Sequence, residues 1–288
     1  MAVKIQTIKD IRFYIARELG VLYNEQEVRI IADILIKAVL NITKPHQLYD
    51  NGFPIPEKDA LKLTEYTERL KKGEPVQYVI GETTFYNCTI KVNRSTLIPR
   101  PETEELVDLI IKENQGYKGN IIDFGTGSGC IAVALSVNLP YAKITGVDIS
   151  EEALKIAKIN SGLNNASVTF MKGDILDHNI SGLPEAGIIV SNPPYIRESE
   201  KLRMAENVLD FEPHQALFVT DSDPLIYYNA ILGITHKILL PGGRIYFEIN
   251  EAMGMPLTRL LRENNYSEIV IVSDLNDKER MIKCRKNG

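Results

Sequence analysis

Long apolar stretches are missing from this sequence of 288 residues. No run of about 18 apolar residues occurs, so we expect no membrane span. The opening segment, MAVKIQTIKDIRFYIAREL, mixes charged and apolar residues and lacks the unbroken apolar core of a signal peptide. The few cysteines, Cys88, Cys130 and Cys284, are far apart and fit no zinc-ligand spacing. These absences are typical of a protein of the reducing cytoplasm.

A basic run is also missing. The net charge is −5, made up of +2 over residues 1–95 and −7 over the remainder. An acidic chain without a basic run is poorly suited to hold long bare nucleic acid, although a protein partner or a compact ribonucleoprotein stays compatible with it. We therefore expect no direct DNA binding.

The first part of the chain has the apolar spacing of helices, and Asn24 with Glu27 has the pattern of a capping box. We predict helices over residues 3–19, 24–40 and 57–73. The next segment, residues 76–93, reads VQYVIGETTFYNCTIKVN. Its β-branched and aromatic residues predict a hairpin of two short strands.

From about Leu97 onward, apolar strands alternate with helices. We predict strands at 120–124, 143–148, 167–171, 186–191, 243–249, 267–273 and 279–285. We predict helices at 102–113, 128–138, 151–162, 224–239 and 254–263. The alternation indicates a doubly wound, Rossmann-like α/β domain with seven strands. The last two strands leave no room for a helix between them, so we expect them to be antiparallel.

A glycine-rich loop follows the first strand of this domain, in NIIDFGTGSGCIAVAL at residues 120–135. A dinucleotide fingerprint needs glycine where Cys130 stands, and a phosphate-binding P-loop needs a lysine that is absent. The triplet at 123–125 mimics a kinase metal motif, but the other kinase signatures are missing. Three alternating glycines would be costly in a plain tight turn between strand and helix, so they favour the remaining interpretation, a loop that binds S-adenosylmethionine (SAM). Its predicted cofactor-binding residues are Gly125, Thr126, Gly127, Ser128 and Gly129.

Acidic residues end the next two strands. Asp148 follows Gly125 by 23 positions, and a carboxylate at that strand end can accept both ribose hydroxyls. The helix after it can be capped by Ser150, so Asp148 is not needed as a cap. Asp174 can accept from an adenine amino group, with Ile175 against the ring. Both aspartates and Ile175 are therefore predicted to bind the cofactor.

The segment SNPPYI, residues 191–196, ends the fourth strand. The side-chain oxygen of Asn192 and the carbonyl of Pro193 can each accept one N–H of a planar amino group, which orients its weak lone pair toward a sulfonium methyl. Pro193 and Pro194 keep the carbonyls rigid, and Tyr195 can stack on the flat group. We predict these four residues as the catalytic set, with Asn192 also facing the cofactor.

No strong base is required, because the nitrogen proton becomes acidic only after methyl transfer. The histidines, His46, His178, His214 and His236, are scattered along the chain. We therefore expect neither a histidine catalyst nor a metal site. The amide cradle alone does not separate an adenine or cytosine amine from a glutamine side chain.

The chain resembles the HemK/PrmC family, the release factor glutamine N5-methyltransferases. The resemblance runs in order through most of the sequence. It is carried by GEPVQYVIGETTFY (73–86), LIPRPETEELV (97–107), DFGTGSG (123–129), VDISEEAL (147–154), SNPPYI (191–196), FEPHQAL (211–217) and DLNDKERMI (274–282). The Asn-Pro-Pro-Tyr motif is shared with adenine methyltransferases, whereas IPRPETE with the preceding hairpin sequence is more specific.

The resemblance implies SAM-dependent methylation of the glutamine in the Gly-Gly-Gln motif of class 1 peptide-chain release factors. It implies a helical substrate-recognition domain over 1–75, a β-hairpin linker over 76–96 and a methyltransferase domain over 97–288. Leu97 and the stretch from Arg100 to Thr103 would line the site, although Pro101 can simply start a helix. Glutamine methylation of a ribosomal protein and adenine-N6 methylation of nucleic acid are the alternatives. We expect a monomer.

Overall fold

The computed structural model describes residues 5–177 and 180–288 of the chain. These residues form two compact units. One contains the chain as far as Gly81 together with residues 206–211, and the other contains residues 82–205 and 212–288. Within the described part of the chain, none of the helices has both the length and the apolar character that crossing a bilayer requires.

The first unit is all helical. Its helices are α1 (Ile8–Leu19), α2 (Glu25–Leu40), α3 (Pro45–Tyr49), α4 (Glu57–Lys71) and α5 (Val76–Ile80). In α1, the side chains of Ile8, Ile11, Ile15 and Leu19 share one face and are fully buried, as the helical period requires. The capping box of Asn24 and Glu27 opens α2 as predicted.

Two sequence predictions in this unit are corrected. The first helix begins at Ile8, where Thr7 and Asp10 form a capping box, and positions 3 and 4 of the predicted helix lie outside the described residues. Residues 76–80 form a helix, so the prediction of a strand there is wrong. Gly81 ends that helix with φ of 80°, a left-handed conformation that glycine adopts without strain.

The second unit is an α/β domain. It opens with a hairpin of β1 (Glu82–Phe85) and β2 (Cys88–Lys91). The helices that follow in this unit are α6 (Pro101–Glu113), α7 (Cys130–Asn138), α8 (Glu151–Leu163), α10 (Ile226–Ile238) and α11 (Gly254–Glu263), while the intervening α9 (Glu206–Phe211) belongs to the first unit. The strands are β3 (Asn120–Phe124), β4 (Lys143–Asp148), β5 (Val168–Lys172), β6 (Ala186–Ser191), β9 (Leu239–Glu248), β10 (Tyr266–Ser273) and β11 (Glu279–Lys286), with a short pair of β7 (Ile196–Arg197) and β8 (Phe218–Val219).

Seven strands form one sheet in the order β10-β11-β9-β6-β3-β4-β5. The strands from β9 to β5 are parallel, and β11 is antiparallel to both of its neighbours. Helices that cover both faces explain why β3 and β6 consist mostly of apolar residues. The predicted Rossmann-like fold and the antiparallel last pair of strands are confirmed.

Candidate functional site

A cavity of about 330 Å³ opens at the carboxyl edge of the parallel strands. The segments that follow β3, β4, β5 and β6 all reach this edge, because parallel strands end on the same side of a sheet. The predicted site residues that line it are Leu97, Gly125, Gly127, Asp148, Asp174, Ile175, Asn192 and Pro194. The fold thus brings together residues that are almost a hundred positions apart.

The glycine loop divides into two sets of residues. Gly125 and Gly127 line the cavity with φ of 71° and 54°. Thr126 and Ser128 are buried and face the protein interior, where the Thr126 hydroxyl donates to Asp123 Oδ2 over 2.6 Å. Gly129 starts α7. The loop therefore presents mostly backbone to the cavity and uses its side chains to fix its own shape.

Gly129 has a packing role that Gly125 lacks. A Cβ at Gly129 would lie 2.9 Å from the Cβ of Ala157 in α8, whereas a Cβ at Gly125 would meet nothing within 4 Å. Both residues have positive φ, so alanine is strained at either position. Glycine at 129 is what lets the start of α7 approach α8.

We expect Gly129→Ala to lower the free energy of unfolding by about 1–3 kcal/mol more than Gly125→Ala does. Only the first substitution adds a steric clash to the strain that both share. Urea unfolding of the two variants measures the difference. Equal losses would contradict the packing role assigned to Gly129.

Asp148 ends β4 with both carboxylate oxygens directed at backbone amides. Oδ2 accepts from Gly127 N over 2.7 Å and Oδ1 accepts from Ser150 N over 2.8 Å. Burial raises the pKa of Asp148, and these N–H donors oppose the rise by stabilising the anion. Ser150 caps α8 by accepting from Ala153 N, as predicted. Asp148 therefore joins the glycine loop to the cavity wall and retains lone pairs for hydroxyl donors.

Asp123 lies directly behind the loop and is fully buried. Among the described residues, none forms a hydrogen bond with its Oδ1. Burial raises the pKa of Asp123 to about 7, with a smaller contribution from the nearby charge of Asp148, against the opposing hydrogen bond from Thr126. Below about pH 7, the uncharged form of Asp123 is therefore favoured in the folded chain.

This shift predicts a pH dependence of stability. The folded chain holds the Asp123 proton up to about pH 7, while the unfolded chain releases it near the ordinary pKa of 3.8. The contribution of this group to the free energy of unfolding is full below pH 3.8. It falls by about 1.4 kcal/mol per pH unit as the pH rises from 3.8 to about 7, where the loss is complete. Asp123→Asn lacks this loss, so its stability relative to the unsubstituted protein should increase between about pH 5 and pH 7. The free energy of unfolding of each protein is measured by urea unfolding across that range. The same pH dependence in both proteins would contradict the assignment.

Asp174 and Ile175 follow β5 at the far side of the cavity. Asp174 Oδ1 accepts from Leu176 N over 2.8 Å, which fixes the carboxylate at the cavity wall. Tyr227 from α10 lines the same region, and no local pattern in the sequence indicated it. A polar oxygen beside apolar surfaces suits a flat heterocycle with an exocyclic amine.

Asn192 projects into the cavity just beyond β6. Its Nδ2 donates to Thr103 Oγ1 over 3.1 Å, which leaves Oδ1 as the remaining acceptor of the side chain. Pro194 also lines the cavity, while Pro193 is buried. Tyr195 packs against the apolar core and donates its hydroxyl to Glu248 Oε1 over 2.9 Å. Neither Pro193 nor Tyr195 is among the described residues that line the cavity, so stacking by Tyr195 stays a prediction.

The resemblance placed the stretch from Arg100 to Thr103 at the site, but none of its residues is among the described residues that line the cavity. Pro101 starts α6 at its first position, as a plain helix start requires. Arg100 is paired with the buried Glu212 over 2.5 Å, and Glu212 also accepts from Ile98 N. This pair fixes the loop that carries Leu97 to the cavity wall.

The histidines within the described part of the chain do not line the cavity. His46 lies in α3, His236 lies in α10, and His214 contacts Phe218 edge to face. His178 lies outside the described residues. Among the described residues, no three histidine, cysteine or acidic side chains are grouped closely enough to hold a metal ion.

Comparison with known proteins gives two matching family models. Residues 102–216 match the methyltransferase small domain, and residues 16–81 match the PrmC N-terminal domain. A methyltransferase from Pyrococcus furiosus has a similar fold, with a TM-score of 0.52 at 14% identity over 81% of this chain and all of that one. At that identity the likeness concerns the fold alone.

Two curated relatives cover nearly the whole chain. The release factor glutamine methyltransferase of Bacteroides thetaiotaomicron is 40% identical over 95% of this chain and 98% of its own. That of Flavobacterium psychrophilum is 38% identical over 96% and 98%. The resemblance noted in the sequence is thereby confirmed, and this chain belongs to the release factor glutamine methyltransferase family.

Proposed function

We propose that this protein transfers the methyl group of SAM to the side-chain nitrogen of the glutamine in the Gly-Gly-Gln motif of class 1 peptide-chain release factors. The observation that carries the proposal is the orientation of Asn192. Its Nδ2 is held by Thr103, so its Oδ1 is left to accept an N–H from a planar amide in the cavity. Family membership supplies the substrate class.

The residues around the cavity fit SAM. Asp148 and Asp174 offer carboxylate oxygens at neighbouring strand ends, and at Gly125 a Cβ would stand in open space at the cavity wall. Asp148 suits ribose hydroxyls, and Asp174 with Ile175 suits an adenine. When bound, the cofactor would supply an electrophilic methyl group on a sulfonium.

The protein's own contribution to the reaction is orientation. The lone pair of an amide nitrogen is delocalised, so the amide is a poor nucleophile until its plane is fixed and its N–H bonds are polarised. Asn192 Oδ1 is placed to accept one N–H, and the carbonyl of Pro193 is the proposed acceptor of the other. The nitrogen proton becomes acidic once the methyl has transferred, so the mechanism requires no side-chain base.

The proposal assigns residues 1–75 to recognition of the release factor, residues 76–96 to a linker and residues 97–288 to methyl transfer. Exposed apolar side chains in the first unit, among them Phe13, Val21 and Leu22, suit a protein surface better than a nucleic acid. The same proposal places the chain in the cytoplasm as a monomer that does not bind DNA directly.

Transfer of a labelled methyl group tests this function. The protein is incubated with labelled SAM and one of four acceptors: a class 1 release factor, the same factor with Gly-Gly-Gln changed to Gly-Gly-Ala, duplex DNA, or ribosomal proteins. We expect label on the unaltered factor alone. Label on DNA, or equal label on the altered factor, would overturn the proposal, and label on ribosomal proteins alone would favour the sister activity.

A further inference from the structure

Glu248 is a buried carboxyl beside the cavity that has no role in the mechanism above. It is the last residue of β9, which runs parallel to β6 with Ser191 opposite Phe247. Glu248 therefore emerges at the same edge of the sheet as Asn192. It is fully buried, and a fully buried carboxyl needs hydrogen-bond partners.

Two hydroxyl groups satisfy the carboxyl. Thr103 Oγ1 donates to Glu248 Oε2 over 2.6 Å, and Tyr195 OH donates to Oε1 over 2.9 Å. Burial raises the pKa of Tyr195 well above its ordinary value of 10.0, so its hydroxyl keeps its proton and donates. Two donors, one on each oxygen, match the ionised form of Glu248.

The direction of these bonds determines the orientation of Asn192. The single hydroxyl proton of Thr103 is used by Glu248, so Thr103 can only accept from its other neighbour. That neighbour is Asn192, which must offer its Nδ2. The flipped amide would place Asn192 Oδ1 against the Thr103 oxygen with no proton between them.

Burial also raises the pKa of the Glu248 carboxyl itself. The hydrogen bonds from Thr103 and Tyr195 and the charge of Arg280 oppose this rise, while Glu102 adds to it. The hydrogen bonds from Thr103 and Tyr195 therefore help to keep Glu248 ionised, so that it can accept from both hydroxyls. Because Tyr195 belongs to the same loop as Asn192, Glu248 holds both ends of that loop.

We propose that Glu248 and Thr103 are positioning residues that hold the Asn192 amide with its oxygen toward the substrate nitrogen. The inference rests on the proposed function, since it assigns Oδ1 of Asn192 to the substrate amide. Neither residue has to touch the reacting atoms. Glu248 acts on Thr103, and Thr103 acts on Asn192.

The main test uses Thr103→Val, which keeps the side-chain volume but removes the hydroxyl, and Thr103→Ser, which keeps the hydroxyl. We expect the valine variant to lose about 10- to 100-fold in kcat, because Asn192 is then free to rotate. The KM for SAM should stay within about twofold, since Thr103 does not line the cavity. The serine variant should retain kcat within about fivefold of the unsubstituted protein.

Thr258→Val is the matched control. Thr258 is also buried, and its hydroxyl donates to Gly254 O within α11, away from Asn192. The Thr258→Val variant should be less stable than the unsubstituted protein but should have an unchanged kcat. An unchanged kcat in Thr103→Val, or an equal loss in Thr258→Val and Thr103→Val, would overturn the positioning role.

A spectroscopic readout separates this inference from the proposed function. In ¹⁵N-resolved NMR spectra, the side-chain amide of Asn192, assigned with Asn192→Ala, should show slowed proton exchange that Thr103→Val abolishes and Thr103→Ser retains. If the unsubstituted protein did not methylate a release factor, the proposed function would be wrong. The exchange rate of the Asn192 amide would still test the proposed orientation. Rapid exchange in the unsubstituted protein would overturn the orientation itself.

Discussion

Replacing Asn192 with alanine is expected to lower kcat for release factor methylation by about 10²- to 10³-fold, the loss typical of removing one preorganised polar group at a reacting centre. The side chain gives the cavity its amide oxygen at the end of β6, and Thr103 already uses its nitrogen. Removing it leaves the substrate amide without its orienting acceptor. The effect should fall on kcat, because the orientation matters most as charge develops on nitrogen.

Single-turnover measurements with saturating SAM give this effect without interference from cofactor affinity. Asn138→Ala is a suitable control, because Asn138 is an exposed residue of α7 whose side-chain nitrogen donates locally to Ala134 O. The control should retain full activity. If Asn192→Ala methylated the factor at the rate of the control, the amide cradle would be refuted.

Replacing Asp148 with alanine is expected to weaken SAM binding by about 10²-fold, since hydrogen bonds to a charged group contribute about 1.5–3 kcal/mol each. The substitution removes the proposed acceptor for the ribose hydroxyls. It also frees the Gly127 and Ser150 amides that Asp148 holds in place, so the loop loses its support at the cavity wall.

Calorimetric titration with SAM measures this loss directly. Asp221→Ala is the matched control, because Asp221 accepts two hydrogen bonds from Ser199 and does not line the cavity. At saturating SAM, the Asp148 variant should recover kcat to within about tenfold, whereas the Asn192 variant should not. An unaltered affinity for SAM in Asp148→Ala would remove Asp148 from the cofactor site.

Local sequence patterns predicted the sheet and most of its helices. The strands at 120–124, 143–148 and 186–191 have the predicted bounds, because buried parallel strands are short segments rich in apolar and β-branched residues between turn signals. The same logic predicted that Asp148 and Asn192 would lie at one edge of the sheet, since the residues that follow parallel strands share that edge, and both line the cavity. Periodicity and strand ends are properties of short segments, so a single sequence reveals them.

The remaining features depend on tertiary contacts. Residues 76–80 have strand-forming side chains, yet they form a helix whose Val79 packs into the helical core. Glu248 meets Thr103 across 145 positions, and nothing near either residue signals the contact. The same holds for Tyr227, which reaches the cavity from α10. Such pairs are set by the sheet order and not by any local pattern.

Mass spectrometry of the release factor after reaction with this protein and SAM shows directly which atom receives the methyl group. We expect one added methyl group on the side-chain nitrogen of the Gly-Gly-Gln glutamine, and a strongly reduced yield after the same reaction time when Asn192→Ala replaces the unsubstituted protein. A methyl group on any other residue of the factor, or an unmodified glutamine after prolonged incubation with excess SAM, would contradict the proposed function.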